Sequence, residues 1–267
     1  MEYPMISFDA TEKDEEAMYF VLTHEIGHNW FPMIVGSNER TCAWMDEGFD
    51  MFINQFSLAR RYPAHGDQTQ RADRQRVLIE GKVKEHHDLL IDLPPDSTPE
   101  NGYTNYRKPA GVLQMLRRDV VGPVAFDKGL RTYIRRWAYK HPTPMDFFRT
   151  MEDVSGRKLD WFWREWFFET PGFDQAINAV RQTTDGRTTH VTVVYGNLGR
   201  GVLPLLVRFT FDDGTTRDIT YPAEVWRTNS TSYTVSYSFH RPVVGVTIDP
   251  DEHLVDADRS NNRWTSK

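Results

Sequence analysis

A single cysteine, Cys42, stands in 267 residues, which excludes an internal disulfide and a cysteine-built metal centre. It reads as a small packed residue. No apolar run approaches the ~18 residues that a bilayer-crossing helix needs, and no secretory leader stands at the start. The formal net charge is only -6, too mild to suggest a nucleic-acid partner. Apolar residues at 39% and charged residues at 26% are the composition of a soluble globular protein, and the length predicts two domains.

Against these absences one stretch is chemically dense. It reads His24-Glu25-Ile26-Gly27-His28, then 18 residues, then Glu47 within Trp44-Met45-Asp46-Glu47-Gly48-Phe49. Histidines four apart on a helix point the same way, so their rings can share one metal ion. Glu25 sits about 100° round that helix and is better placed to hold a water than to bind the metal. A catalytic zinc takes three protein ligands and keeps one position open, and two histidines with a carboxylate form such a set. Glu47 is the candidate third ligand. A bare HExxH is a short pattern that chance produces, and ordinary surface or core histidines are its plain alternative. The context favours helices on both sides of the gap. Asp14, Glu15 and Glu16 suit a helix start, and Phe49, Phe52, Ile53 and Phe56 follow Glu47 at helical spacing.

HEIGHNW, the gap and WMDEGF together resemble the M1 group of gluzincin zinc aminopeptidases. Two further landmarks carry the resemblance: Met1-Glu2-Tyr3-Pro4, similar to a variant of that family's Gly-x-Met-Glu-Asn exopeptidase motif, and Tyr106-Arg107-Lys108-Pro109, where the family has Tyr-x-Lys-Gly. The resemblance spans most of residues 1–172. It implies a mainly helical, thermolysin-like catalytic domain with one Zn2+ per chain on His24, His28 and Glu47. It also implies Glu25 as general base, Tyr106 as donor to the oxyanion, and Glu2 as the carboxylate that takes a peptide's free α-amino group. The substrates implied are peptides with a free N-terminus. Tyr3 replaces the family's usual Asn, so contacts beside Glu2 differ from the pattern. Tyr103 is the alternative to Tyr106, and the motif match favours Tyr106. The family places a β-rich domain and part of the catalytic sheet ahead of this motif. The expectation is therefore the C-terminal part of a larger peptidase, partnered by an N-terminal domain of the same parent protein.

The remaining chain supports an α+β, multidomain reading. Residues 2–8, with Pro4, suit an edge strand, to which an extended peptide could add. Residues 11–33 read as the metal helix, ended by Asn29, Trp30, Phe31 and Pro32, and 44–62 as the second helix. The charged stretch 67–93 reads as a solvated helix face that breaks near Gly81. His86-His87 reads as surface, because adjacent residues face apart. Residues 123–172 read as helical, and Trp161, Phe162, Trp163, Trp166 and Phe167 as core rather than a ligand platform. After Thr170-Pro171-Gly172 the period changes to two. Alternation in 190–195, 202–211 and 233–239, with Asp185-Gly186 and Asp213-Gly214 as hairpin turns, predicts a small Ig-like β-sandwich over 173–267. The catalytic domain is assigned to 1–172. Asp249, Asp251, Asp256 and Asp258 lack the EF-hand spacing and read as a solvated loop. Asn229-Ser230-Thr231 matches a glycosylation acceptor. The rivals to an aminopeptidase are a non-catalytic zinc- or peptide-binding fragment whose activity needs its N-terminal domain, and a zinc endopeptidase, which would not need Glu2.

Overall fold

The computed structural model describes residues 2–85, 88, 89 and 91–266; His86 and His87 lie outside the described residues. The fold is α+β. In order come a short hairpin, β1 (Glu2–Tyr3) with β2 (Ile6–Ser7), and then seven α-helices: α1 Glu15–Gly27, α2 Glu47–Arg61, α3 Gln68–Lys84, α4 Lys108–Met115, α5 Pro123–Trp137, α6 Pro144–Ser155 and α7 Asp160–Trp163. Seven antiparallel strands follow: β3 Gln175–Asp185, β4 Thr188–Asn197, β5 Leu205–Phe211, β6 Thr216–Tyr221, β7 Ser232–Phe239, β8 Val243–Ile248 and β9 Arg263–Thr265. Two compact units result, one of residues 1–79 with 89–170, the other of 80–88 with 171–267. Among the described residues no helix is long and apolar enough to cross a membrane.

In the first unit, α1 begins where Asp14 accepts a hydrogen bond from the Ala17 N–H at 2.9 Å, with Glu15 and Glu16 in the first turn. The helix gives way where Asn29, Trp30, Phe31 and Pro32 are expected to end it, and a π-type turn, Asn29–Ile34, follows. Helix α1 itself ends at Gly27, and His28 caps it in a helical conformation (φ -58°, ψ -18°). Pro32 has no N–H to continue the ladder, and Phe31 swings to an extended conformation (φ -129°, ψ 110°). Because His28 is still helical, it stays one turn beyond His24 on the same face. Apolar residues surround α1, yet only His24 on it is buried; Leu22 and Ile26 are exposed, as are Tyr3, Met5, Ile6 and Phe8 in and beside the hairpin.

The start of α2 is fixed by Trp44. Its indole is fully buried, stacks on Phe148 at 6.0 Å between centroids, and donates to Asp92 Oδ1 at 3.1 Å. Phe49, Phe147 and Phe167 close round it. The aromatic run after residue 159 joins this core: Phe162, Trp163, Trp166 and Phe167 are all buried, which removes them as a ligand platform. The Trp163 ring stacks on Phe148 at 4.3 Å. Helix α6 is bounded by a capping box of Thr143 and Asp146 and by Gly156, whose φ of 69° suits glycine.

Three expectations are overturned. Residues 2–8 are not one edge strand, because Pro4 and Met5 turn them back as the β1–β2 hairpin. The stretch around α3 is one helix that runs through Gly81, and its charged residues are only partly a solvated face: Arg74, Lys84 and Glu85 are exposed, but Arg71 and Arg76 are buried, with Ala72 and Ile79. Arg71 is tolerated inside because it pairs with Glu16 at 2.7 Å and donates to the Gly66 carbonyl at 2.9 Å. In the second unit Asp249 and Asp256 are buried rather than solvated. Asp249 accepts from the N–H groups of His253 and Leu254 at 2.8 and 2.9 Å, and Asp256 accepts from Gln175 N at 3.2 Å and Asn262 Nδ2 at 3.1 Å. They hold the chain's own loops. The rest of this unit is a sandwich of a three-stranded sheet (β3-β4-β7) and a four-stranded one (β6-β5-β8-β9). Val191, Val193, Tyr195, Val207, Phe209 and Val246 are core residues. Gly186 and Gly214 turn the hairpins with φ of 58° and 81°.

Replacing Trp44 by Ala is expected to cost about 3–5 kcal/mol of stability, the range for truncating a large buried aromatic. Urea unfolding of parent and variant measures it.

Candidate metal centre

The two helices that carry the histidines and Glu47 pack against each other. The rings of His24 and His28 lie 4.8 Å apart at 80°. Both present Nε2 to the same atom: Glu47 Oε2 is 3.0 Å from His24 Nε2 and 3.5 Å from His28 Nε2. Two imidazole nitrogens and a carboxylate oxygen thus converge, a donor set that suits a divalent transition metal. One ligand atom each from His24, Glu25 and His28 lie within 4.8 Å of one another, as do one each from His28, Asp46 and Glu47. Glu25 therefore stands beside the histidine pair.

The two histidines are held differently. His24 is stacked between Phe20 and Tyr106, with centroids at 5.8 and 5.9 Å, and its buried Nδ1 has no hydrogen-bond partner among the described residues. His28 is gripped through Nδ1. That nitrogen lies 2.8 Å from the Phe31 carbonyl oxygen, 2.7 Å from Asp46 Oδ1 and 2.8 Å from Asp50 Oδ2. Burial favours a neutral ring, but hydrogen bonds and charge from Asp46 and Asp50 outweigh it and raise the His28 pKa to about 12. Burial likewise pushes both aspartates above the usual carboxylate range, with His28 opposing it. Glu47 goes the other way. Burial opposes its charge, yet hydrogen bonds from His24 and Tyr106, with charge on the histidines, keep it below the usual range.

Tyr106 reaches this centre from a π-type turn, Gly102–Arg107, that runs straight into α4. Its hydroxyl donates to Glu47 Oε1 at 2.5 Å. Burial and the Glu47 charge both push its pKa upward, so it keeps its proton. Tyr103 is buried in the packing instead. The turn approaches so closely because residue 48 is glycine: a Cβ there would lie 2.8 Å from two ring carbons of Pro109 and 3.2 Å from the Asn105 carbonyl oxygen.

Glu2, Tyr3, Glu39, Asp46, Glu47 and Tyr106 line one cleft of about 790 Å³, with Arg40 and His141 among its other walls. One oxygen each from Glu2, Glu39 and Asp46 lie within 4.8 Å of one another. The cleft thus joins Glu2 and Tyr106 to Glu47, while His24, Glu25 and His28 are not among its lining residues. Sequence reasoning did not single out Glu39, Asp46 and Asp50. For the aspartates a signal existed: Asp46 and Asp50 are four apart, one turn along α2, on a helix whose neighbours Phe49 and Phe52 are core.

Comparison with known proteins follows this geometry. A model of the peptidase family M1 domain matches residues 2–166. The chain is 25% identical over 192 residues to aminopeptidase M1-B of Oryza sativa subsp. japonica, covering 71% of this chain and 21% of that protein. It is 27% identical over 157 residues to glutamyl aminopeptidase of Bitis rhinoceros, covering 57% and 16%. It spans only 9–21% of the length of the first curated relatives it matches. Aminopeptidase A of Legionella pneumophila, solved in complex with aspartic acid, is similar in fold with a TM-score of 0.58 at 13% identity, over 90% of this chain and 26% of that one.

Substituting Gly48 by Ala is expected to force the start of α4 away from α2 and cost about 1–3 kcal/mol, the range for overpacking. Thermal unfolding reads the loss.

Proposed function

This chain belongs to peptidase family M1, and from that membership we propose that it carries the active centre of a zinc aminopeptidase, which removes the N-terminal residue of peptides. The observation that carries the reading is the convergence of His24 Nε2 and His28 Nε2 on one oxygen of Glu47. These three residues would hold one zinc ion per chain. Bound zinc supplies Lewis acidity, which polarises a carbonyl and lowers the pKa of a water toward ~7.

The chain's own groups do the rest. Glu25, beside the histidine pair, takes a proton from the attacking water and passes it to the nitrogen of the departing amine as the C–N bond breaks. Tyr106, its proton retained by burial and by the charge of Glu47, donates its hydroxyl to the oxygen on which negative charge develops. Glu2 pairs with the substrate's α-ammonium, and Glu39 beside it deepens the negative potential there. That concentration of carboxylates next to the centre favours an exopeptidase over an endopeptidase, which has no ammonium to recognise.

The deciding experiment combines zinc content with hydrolysis of paired free and N-acetylated aminoacyl substrates. One zinc per chain with turnover of the free amines alone is expected. Equal turnover of both would replace the reading by an endopeptidase, and a chain that takes up no zinc would sink it. Glu25→Gln is expected to keep zinc and lose turnover by about 10²–10⁴-fold, the contribution of a general base. Near-parent rates in that variant would remove Glu25 from the role.

A further inference from the structure

Asp50 is a buried carboxylate that the proposed reaction does not use. Its side chain is 1% exposed, and burying a charge is costly without a partner. No group hydrogen-bonds either oxygen among the described residues, apart from the close contact of Oδ2 with His28 Nδ1 at 2.8 Å. Asp46, the other carboxylate on that nitrogen, also faces the cleft with Glu2 and Glu39. Among the described residues the one ion-pair contact of Asp50 is with His28, and it is not among the residues that line the cleft.

A second feature belongs to the same contact. Gly27 ends α1 with no unusual backbone angle, so its conformation does not call for glycine. Glycine within a helix costs about 0.5–1 kcal/mol relative to alanine. What excludes a side chain is Asp50: a Cβ on residue 27 would lie 2.8 Å from Oδ1, 3.0 Å from Cγ and 3.3 Å from Oδ2. Both the missing side chain at 27 and the buried charge at 50 serve one position, behind the ring of His28.

We propose that Asp50 is the positioning residue of His28, and that Gly27 is the gap that admits its carboxylate. His28 Nδ1 donates to the Phe31 carbonyl oxygen, and the Asp50 carboxylate 2.8 Å from that nitrogen backs the ring with its charge, favours the proton on Nδ1 and leaves Nε2 turned toward Glu47, raising its strength as a ligand. His24 Nδ1 has no hydrogen-bond partner among the described residues, and its ring is set by stacking on Phe20 and Tyr106 instead. This role rests on the metal-centre reading above.

The test measures zinc affinity of the 267-residue chain by chelator competition, and the visible spectrum of its cobalt(II) form. Asp50→Ala and Gly27→Ala are each expected to weaken zinc by about 10- to 100-fold, as outer-shell changes do. Asp50→Asn, which keeps the shape and one acceptor, is expected to lose less, and it guards against a folding failure of Asp50→Ala. The double variant Gly27→Ala with Asp50→Ala is expected to bind no more weakly than Asp50→Ala alone, and the cobalt bands are expected to shift in the same variants. Zinc affinity in both Asp50 variants within about twofold of the parent, below the outer-shell range, with unshifted cobalt bands, would overturn the role. Losses that multiply in the double variant would overturn the link to Gly27. A parent chain that binds zinc but cleaves nothing would remove the aminopeptidase reading and leave this role standing; a parent that binds none would remove both.

Discussion

The first unit depends on a polar contact inside an aromatic core. His28, at the end of α1, meets Asp46 and Asp50 at the start of α2, and all three are almost wholly buried. Groups of this kind are tolerated in low dielectric only when each has its partner in place. The helices must therefore keep one register, since sliding either by a residue would strand at least one carboxylate. Trp44 and Phe49, with Phe147 and Phe148 from α6, supply the rigid apolar surround that holds that register. The cleft side of the same contact stays open to solvent through Glu2, Tyr106 and the edge of β1. A dry back and a wet front are what a histidine needs if one nitrogen is to be fixed and the other to act.

Much of this was legible in the sequence because it is written as spacing. Histidines four apart, a glutamate beyond a gap of 18 residues and the Asp-Gly turns are one-dimensional marks of local geometry, and the structure gives each its local form. His24 and His28 share a face, and the Asp-Gly pairs turn hairpins. The end of the histidine helix was legible too, in Asn29-Trp30-Phe31-Pro32, where Pro32 lacks a donor and Phe31 offers its carbonyl to His28. What spacing does not encode is the partner across an interface. Asp46 and Asp50 look like ordinary acids at a helix start, favoured there by the dipole. Yet Asp46 caps no N–H and turns to another helix. Arg71, in a stretch whose charges suggest solvent, is interior for a similar reason: its partner, Glu16, lies 55 residues away.

Glycine was the other blind spot. Gly27 and Gly48 fall inside motifs, where they pass as part of a pattern. Their structural reasons are neighbours that no pattern names, Asp50 in one case and Pro109 in the other. Both make room for a functional side chain beside them, His28 or Tyr106. The aspartates of the second unit carry the same lesson with opposite outcome. Asp249 and Asp256 have the look of a cation loop, but their oxygens are already taken by backbone and amide N–H groups of their own unit.

The hairpin that supplies Glu2 also bears on how a peptide could lie along the cleft. β1 and β2 pair only with each other in a two-stranded sheet, and Tyr3, Met5, Ile6 and Phe8 all stand exposed in or beside it. A two-stranded ribbon has marginal stability alone, and its unpaired edges are a template for another chain. Beside the cleft such an edge can take an extended peptide as a further strand, with apolar side chains adding to backbone hydrogen bonds. Glu2 then stands on the strand against which a peptide would lie, so that backbone pairing and the carboxylate would act on one end of it.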